Sequence, residues 1–356
     1  MEKQRTGGAS FEKFKREKPG GVKLSAESLV RQRTLSPDQP LPLVIEPVVA
    51  GLDLAAWGAQ RREWIEGLLV EHGALLFRGF GLSTAEQFQQ FAAAVSSELI
   101  EYGERSSPRT RLHGRVYSST DHPPDQYIIL HNEQSYTLNW PMKIMFFCAV
   151  PAAEGGSTPI ANSRKILARL DPHIVARFVE KKIMYVRNYG DGLGLPWQEV
   201  FQTEERRAVE EHCRRMSIEV EWKSGNRLRT RQVRPAVRKH PVTGELTWFN
   251  HALFFNNSSL EASVRESMLQ VVREEDLPFH TLYGDGSPIE SSTLEAMADA
   301  YRRETVSFRW QQGDVMVLEN MLTSHGREPF AGPRKVLVSM ADPYAAKYSP
   351  EFTEVV

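Results

Sequence analysis

The chain has 356 residues, 41% of them apolar, 25% charged and 10% aromatic, with a net charge of −1. That composition supplies a large core and excludes a wholly disordered chain, and its near-neutral balance gives no general affinity for nucleic acid or an anionic membrane. No apolar run approaches the ~18 residues of a membrane-spanning helix, and two cysteines without CxxC spacing, Cys148 and Cys213, predict neither a disulfide framework nor a structural zinc site, hence a cytoplasmic setting.

Residues 1–36 carry nine Lys/Arg against four Asp/Glu, and their polar, glycine-containing start predicts a basic, mobile N-terminal arm. Ordered structure is expected from near Leu41. The segment from Asp53 to Glu71 places Trp57, Trp64, Leu68 and Leu69 on one helical stripe, and Gly73 can stop that helix. Ala74 to Arg78 reads as a buried strand. Ser83-Thr84-Ala85-Glu86 starts a second helix that runs to about Ser97. A strongly apolar strand spans Lys143 to Val150. Helices are expected near 163–170, 172–181, 204–216, 261–274 and 290–304, and strands at 183–188, 227–233, 246–250, 305–310, 314–319 and 334–341. Gly313-Asp314 reads as a hairpin turn before the strand at 314–319. There is no internal repeat, no GxGxxG after a strand and no GxxxxGK[ST] phosphate loop. Many strands with few βαβ alternations favour a mainly β core with helices packed around it, such as a double-stranded jelly roll.

The most informative segment is Ile128-Ile129-Leu130-His131-Asn132-Glu133. In an extended chain, residues two apart point to the same side. His131 and Glu133 can therefore offer a nitrogen and a carboxylate oxygen to one point, and a third ligand would complete a two-histidine, one-carboxylate face with open positions for Fe(II) chemistry. Ten histidines and 45 acidic residues make about one such HxD/E pair expected by chance, so the spacing is weak by itself. Its context is stronger. Gln134-Ser135-Tyr136-Thr137 follows it, then Glu154-Gly155-Gly156-Ser157-Thr158-Pro159. Far downstream come Gly313 to Asn320, Ser324-His325-Gly326-Arg327 and Gly332-Pro333-Arg334.

With these motifs the sequence resembles the clavaminate-synthase-like, TauD/TfdA-type oxygenases that depend on Fe(II) and 2-oxoglutarate, over about residues 70–342. Within them it is most similar to the SyrP-like amino-acid hydroxylases of peptide-antibiotic pathways. The resemblance implies a double-stranded β-helix, or distorted jelly roll, formed by a single domain over 37–356 with helical and lid insertions at about 163–304. It implies O2 as co-substrate, His131, Glu133 and His325 as iron ligands, and His325 on a turn after the strand ending in Asn320. It also implies that Arg334 and the Thr158 hydroxyl receive the distal carboxylate of 2-oxoglutarate, with Arg327 as a rival for the arginine role. Taurine-type members carry a second arginine four or five residues further on. Here Val338 and Ser339 stand there, which disfavours a sulfonate substrate. Glu133 occupies the ligand position that iron halogenases leave open, which favours hydroxylation.

The substrate is less legible. Tyr136, Arg115 and Tyr117 are candidate pocket-wall residues. Asn132 is a further candidate contact, although an extended chain would turn it away from its neighbours' side. The stretch Trp248 to Asn256, with Asn250, reads equally as a substrate lid or a core strand, and His251 is an alternative metal candidate. The resemblance suggests an amino acid or derivative, free or tethered to an acyl or peptidyl carrier protein. The N-terminal arm or the strand Arg227-Leu228-Arg229-Thr230-Arg231 could offer such a carrier a basic patch. The same site could perform desaturation or cyclisation, and a non-catalytic carrier-binding scaffold is the reading from another class.

Overall fold

A computed structural model describes residues 29–37, 39–101, 109–190, 192 and 194–345. Among these, the largest unit is a nine-stranded sheet. Its order is Val30–Arg33, Leu43–Pro47, Ala74–Phe77, Val315–Glu319, Asn139–Val150, Lys335–Ala345, Val116–Ser118 and Arg111–His113, with Leu99–Ile100 also pairing with Lys335–Ala345. A three-stranded sheet, Ile160–Asn162, Thr323–Arg327 and Ile128–His131, forms a second layer. Together they make the expected jelly-roll core.

The central strands explain why their sequences are continuously apolar. In Asn139–Val150, Met145 and Phe147 join a core shared with Leu54, Trp57, Phe88 and Phe91 of the helices Leu54–Gln60 and Ala85–Ala94. Their alternates Ile144, Phe146 and Cys148 join another core with Ile160 and Trp310. Val315 and Val317 divide from Met316 and Leu318 in the same way. A strand covered on both faces has no polar side to alternate, so the period-2 signal vanishes while the strand persists. Each such fully buried side chain stabilises the fold by roughly 1.5–3 kcal/mol.

Local signals also read out correctly at the second helix start, where Thr84 and Gln87 form a reciprocal capping box. Gly73 closes its helix at φ 80°. The helix expected over 53–71 is split, however. Arg61, at φ −122°, separates Leu54–Gln60 from Arg62–His72, and the break lets Trp57 and Trp64 meet edge to face at 5.8 Å.

Several expectations change. Residues 1–28 of the arm lie outside the described residues, but the arm does not extend to 36. Val30–Arg33 pairs with Leu43–Pro47, and Arg31 and Arg33 both bind Glu46. Residues 305–310 form no strand, because only Val306 bridges to Ile160. Gly313-Asp314 is a turn but not a hairpin, because the 305–310 segment before it is no strand, and Asp314 takes a bidentate ion pair from Arg78. Within 163–304 lies a separate four-stranded sheet, Glu219–Lys223, Arg227–Arg234, Ile183–Tyr189 and Phe279–Tyr283. Its arginines do not form an open basic patch. Arg229 is buried on Asn188 and Asp276, Arg231 pairs with Glu221, and Arg227 caps the Ser224 carbonyl.

Candidate metal centre

His131 and His325 face each other directly across the adjacent antiparallel strands Ile128–His131 and Thr323–Arg327. That register, rather than a turn, is what delivers the third predicted ligand, and the ring centroids lie 4.5 Å apart. Glu133 stands just beyond the strand end, in a turn where Ser135 N donates to Asn132 O and Gln134 takes φ 54°. His325 Nε2 lies 3.8 Å from Glu133 Oε2. One ligand atom from each of His131, Glu133 and His325 lies within 4.8 Å of the others.

The donor chemistry fits a divalent cation. His131 Nδ1 is 2.9 Å from the Ile129 carbonyl, so this nitrogen carries the proton and Nε2 keeps its lone pair. Burial pulls the pKa of His131 below the usual imidazole value and that of His325 well below it, which keeps both rings neutral at neutral pH. His325 Nδ1 is buried without a hydrogen-bond partner.

The Glu133 peptide is fixed from behind. Asn320, fully buried at the end of Val315–Glu319, accepts from Glu133 N at 2.8 Å. It donates to Glu133 O at 2.9 Å and to Pro141 O at 2.8 Å. Asn320→Ala would strand three buried backbone groups. A loss of about 3 kcal/mol or more of unfolding free energy is expected, read as a lower urea midpoint at unchanged m-value. A change under about 0.5 kcal/mol would show that the staple is not structural.

The three ligand candidates open on a cavity of ≈ 230 Å³, walled also by Phe146, Phe254, Phe255, Phe279, Thr158 and Arg334. Arg334 donates through Nε to Gly156 O at 2.8 Å and approaches Thr158 Oγ1 at 3.5 Å, while Trp310 Nε1 donates to the same hydroxyl at 3.1 Å. With these donors on its oxygen, the Thr158 proton is available to an anion. Gly156, at φ 70°, lets the chain pass close to Arg334. A Cβ there would come within 3.0 Å of Arg334 Cδ and Phe330 Cβ. Burial lowers the Arg334 pKa to about 10, so its guanidinium remains charged at pH 7. Arg327 also lines the cavity, but its guanidinium donates to the carbonyls of His122, Pro123 and Gln126 and thereby holds one wall.

The candidate substrate residues fare differently, and among the described residues all five fall outside the cavity lining. Asn132 is buried and donates to Ser163 Oγ and Asn320 O, so it braces the turn. Tyr136 packs in a core against His251 and Phe255. Asn250 ties its own loop to Ala236 O and Ala252 N. Tyr117 lies under Arg111, and Arg115 pairs with Glu101 at the surface. The 248–256 stretch divides: Trp248 and Phe249 are core, Phe254 lines the cavity, and Phe255 belongs to the core and the cavity wall at once. His251 is engaged by Ser135 Oγ at 2.6 Å and packs against His131 instead of joining the ligand set. The residue that sequence reasoning missed is Arg109, whose Nη2 donates to Glu133 Oε2 at 2.8 Å inside the cavity wall. No motif surrounds it.

Two imidazoles and one carboxylate gathered in a jelly roll, next to a buried guanidinium and hydroxyl suited to a dicarboxylate, define a non-haem Fe(II)- and 2-oxoglutarate-dependent dioxygenase that consumes O2. The chain belongs to the TauD, TfdA family, whose model (taurine catabolism dioxygenase TauD) matches residues 37–340. It is 40% identical over 279 residues to the dapdiamide synthesis protein DdaC of Enterobacter agglomerans, spanning 78% of this chain and 85% of that one. It is 27% identical over 353 residues to a clavaminate synthase-like protein of Arabidopsis thaliana, spanning 89% and 98%. Among solved structures, PvcB of Pseudomonas aeruginosa superimposes with a TM-score of 0.53 at 19% identity, over 90% of this chain and 93% of that one. At that identity the match speaks for the fold.

Proposed function

We propose that this dioxygenase hydroxylates an unactivated C–H bond of an amino acid or amino-acid derivative in a natural-product pathway. The observation that carries the reading is the convergence of His131, Glu133 and His325 with Arg334 and Thr158 on one cavity. Support for the substrate class comes from the 40% identical relative, a dapdiamide synthesis protein. When bound, Fe(II) and 2-oxoglutarate supply the activation of O2, with 2-oxoglutarate leaving as succinate and CO2. The chain's own part is to hold and orient. His131 Nε2, Glu133 and His325 would hold the metal. Arg334 and Thr158, on the same cavity, would grip the distal carboxylate of 2-oxoglutarate and orient its keto-acid end toward those three residues. Phe146, Phe254, Phe255 and Phe279 give one part of the wall an apolar surface, beside a polar part with Ser119, Thr120, His122 and Gln126, and that apolar part would help keep water from the reacting C–H.

The test is a succinate-release screen over free and carrier-loaded amino acids, followed by product mass. A gain of one oxygen supports hydroxylation; a loss of two hydrogens replaces it with desaturation or cyclisation at the same site. Release with carrier-loaded substrates alone would make the carrier protein a partner. No stimulated succinate from any amino acid would remove the substrate class. Family membership and the intact ligand set weigh against the scaffold reading. A cytoplasmic location belongs to the proposal, supported by two buried, unbridged cysteines.

A further inference from the structure

Arg109 precedes the strand Arg111–His113 at the edge of the large sheet, whereas Glu133 follows Ile128–His131 of the small one. Their ion pair therefore joins the two layers at the cavity. It is nearly dry, with side chains 5% and 2% exposed. Glu133 is thus held at both ends: Asn320 fixes its peptide N–H and carbonyl, and Arg109 fixes its carboxylate. A glutamate carboxylate has two oxygens and about four lone-pair sites. Left to turn, it can give both oxygens to a cation and occupy a second coordination position.

We propose that Arg109 is a positioning residue for the metal centre: it holds the Glu133 carboxylate so that a single oxygen faces the cation shared with His131 and His325. The inference rests on the reading of those three residues as the metal ligands. The opposing account is an ion pair that only neutralises Glu133 until a cation displaces it. The two accounts differ in sign. A displaced guanidinium is a competitor and a like charge, so removing it would tighten metal binding. A guanidinium that orients the ligand makes its removal weaken binding, as outer partners of metal ligands do by about 10- to 100-fold.

The measurement is anaerobic Co(II) titration of the full chain, followed by the visible d–d bands of the bound ion, for wild type, Arg109→Gln and Arg109→Lys. Arg109→Gln is expected to bind Co(II) about 10- to 100-fold more weakly and to change the band pattern, which reports coordination number. Arg109→Lys keeps one charged N–H donor and is expected to stay within about fivefold of wild type with the wild-type bands. In a Glu133→Ala background, Arg109→Gln should alter affinity by less than about twofold, because the residue acts through the missing carboxylate. Should Arg109→Gln fail to fold by circular dichroism, Arg109→Met, which keeps the apolar stem, takes its place. Unchanged or tighter Co(II) binding in Arg109→Gln, or in Arg109→Met where that takes its place, overturns the clamp alone. Wild-type protein that takes up no Co(II) overturns the metal-centre reading as well.

Discussion

Replacing His131 by alanine is expected to abolish succinate formation, lowering turnover at least about 1,000-fold, or ~4 kcal/mol of barrier. The size follows from the geometry. Three ligand atoms lie within 4.8 Å of one another, and His131 supplies the only one whose tautomer is locked by a hydrogen bond to a backbone carbonyl. With alanine there, two of the three candidate donors remain, and a metal would be held more weakly. The substitution removes a ring packed against Phe254 and His325, so a melting curve must accompany the assay. A folded variant retaining more than a tenth of wild-type turnover would exclude His131 as a ligand.

The second large effect separates two arginines that look alike in sequence. Arg334→Ala is expected to raise the 2-oxoglutarate requirement about 100-fold, the loss of roughly 3 kcal/mol from an unpaired buried carboxylate. Metal affinity should hardly move, because the guanidinium contacts Gly156 and Thr158 and none of the three ligands. Arg327→Ala should behave in the opposite way. Its guanidinium serves three backbone carbonyls between His122 and Gln126, so its removal should destabilise that wall and lower the melting temperature without a selective effect on 2-oxoglutarate. Titrating 2-oxoglutarate against the visible charge-transfer band of the anaerobic Fe(II) complex reads the first effect directly. If Arg327→Ala weakens that titration and Arg334→Ala does not, the assignment reverses.

How legible all this was depends on distance along the chain. The helix start at Ser83 to Glu86 and the helix end at Gly73 were readable because capping is decided within a few residues, although the Thr84–Gln87 pairing itself came from the structure. The strands at 143–150, 314–319 and 334–341 were readable as apolar runs. Their two-faced burial was not, since it requires knowing that helices cover one side and the small sheet the other. The 305–310 segment shows the limit. Val306, Phe308 and Trp310 alternate as a strand would, yet Phe308 and Trp310 fill the jelly-roll interior while only Val306 finds a backbone partner.

The candidate site divides along the same line. The sequence by itself determined which residue types could chelate a metal and grip a dicarboxylate. His131 and Glu133 are two apart, and Thr158, His325 and Arg334 stand in short motifs whose chemistry is carried by neighbours in the chain. Only the tertiary structure decided what those groups face. It placed His325 opposite His131 by strand register, turned Asn132 and Tyr136 into the core, put Arg327 on a wall, and brought Arg109 onto Glu133. The physical reason is that a cavity wall is set by which distant strands pair and in what register. Nothing in a residue's own neighbourhood encodes the side chain that will arrive from another sheet.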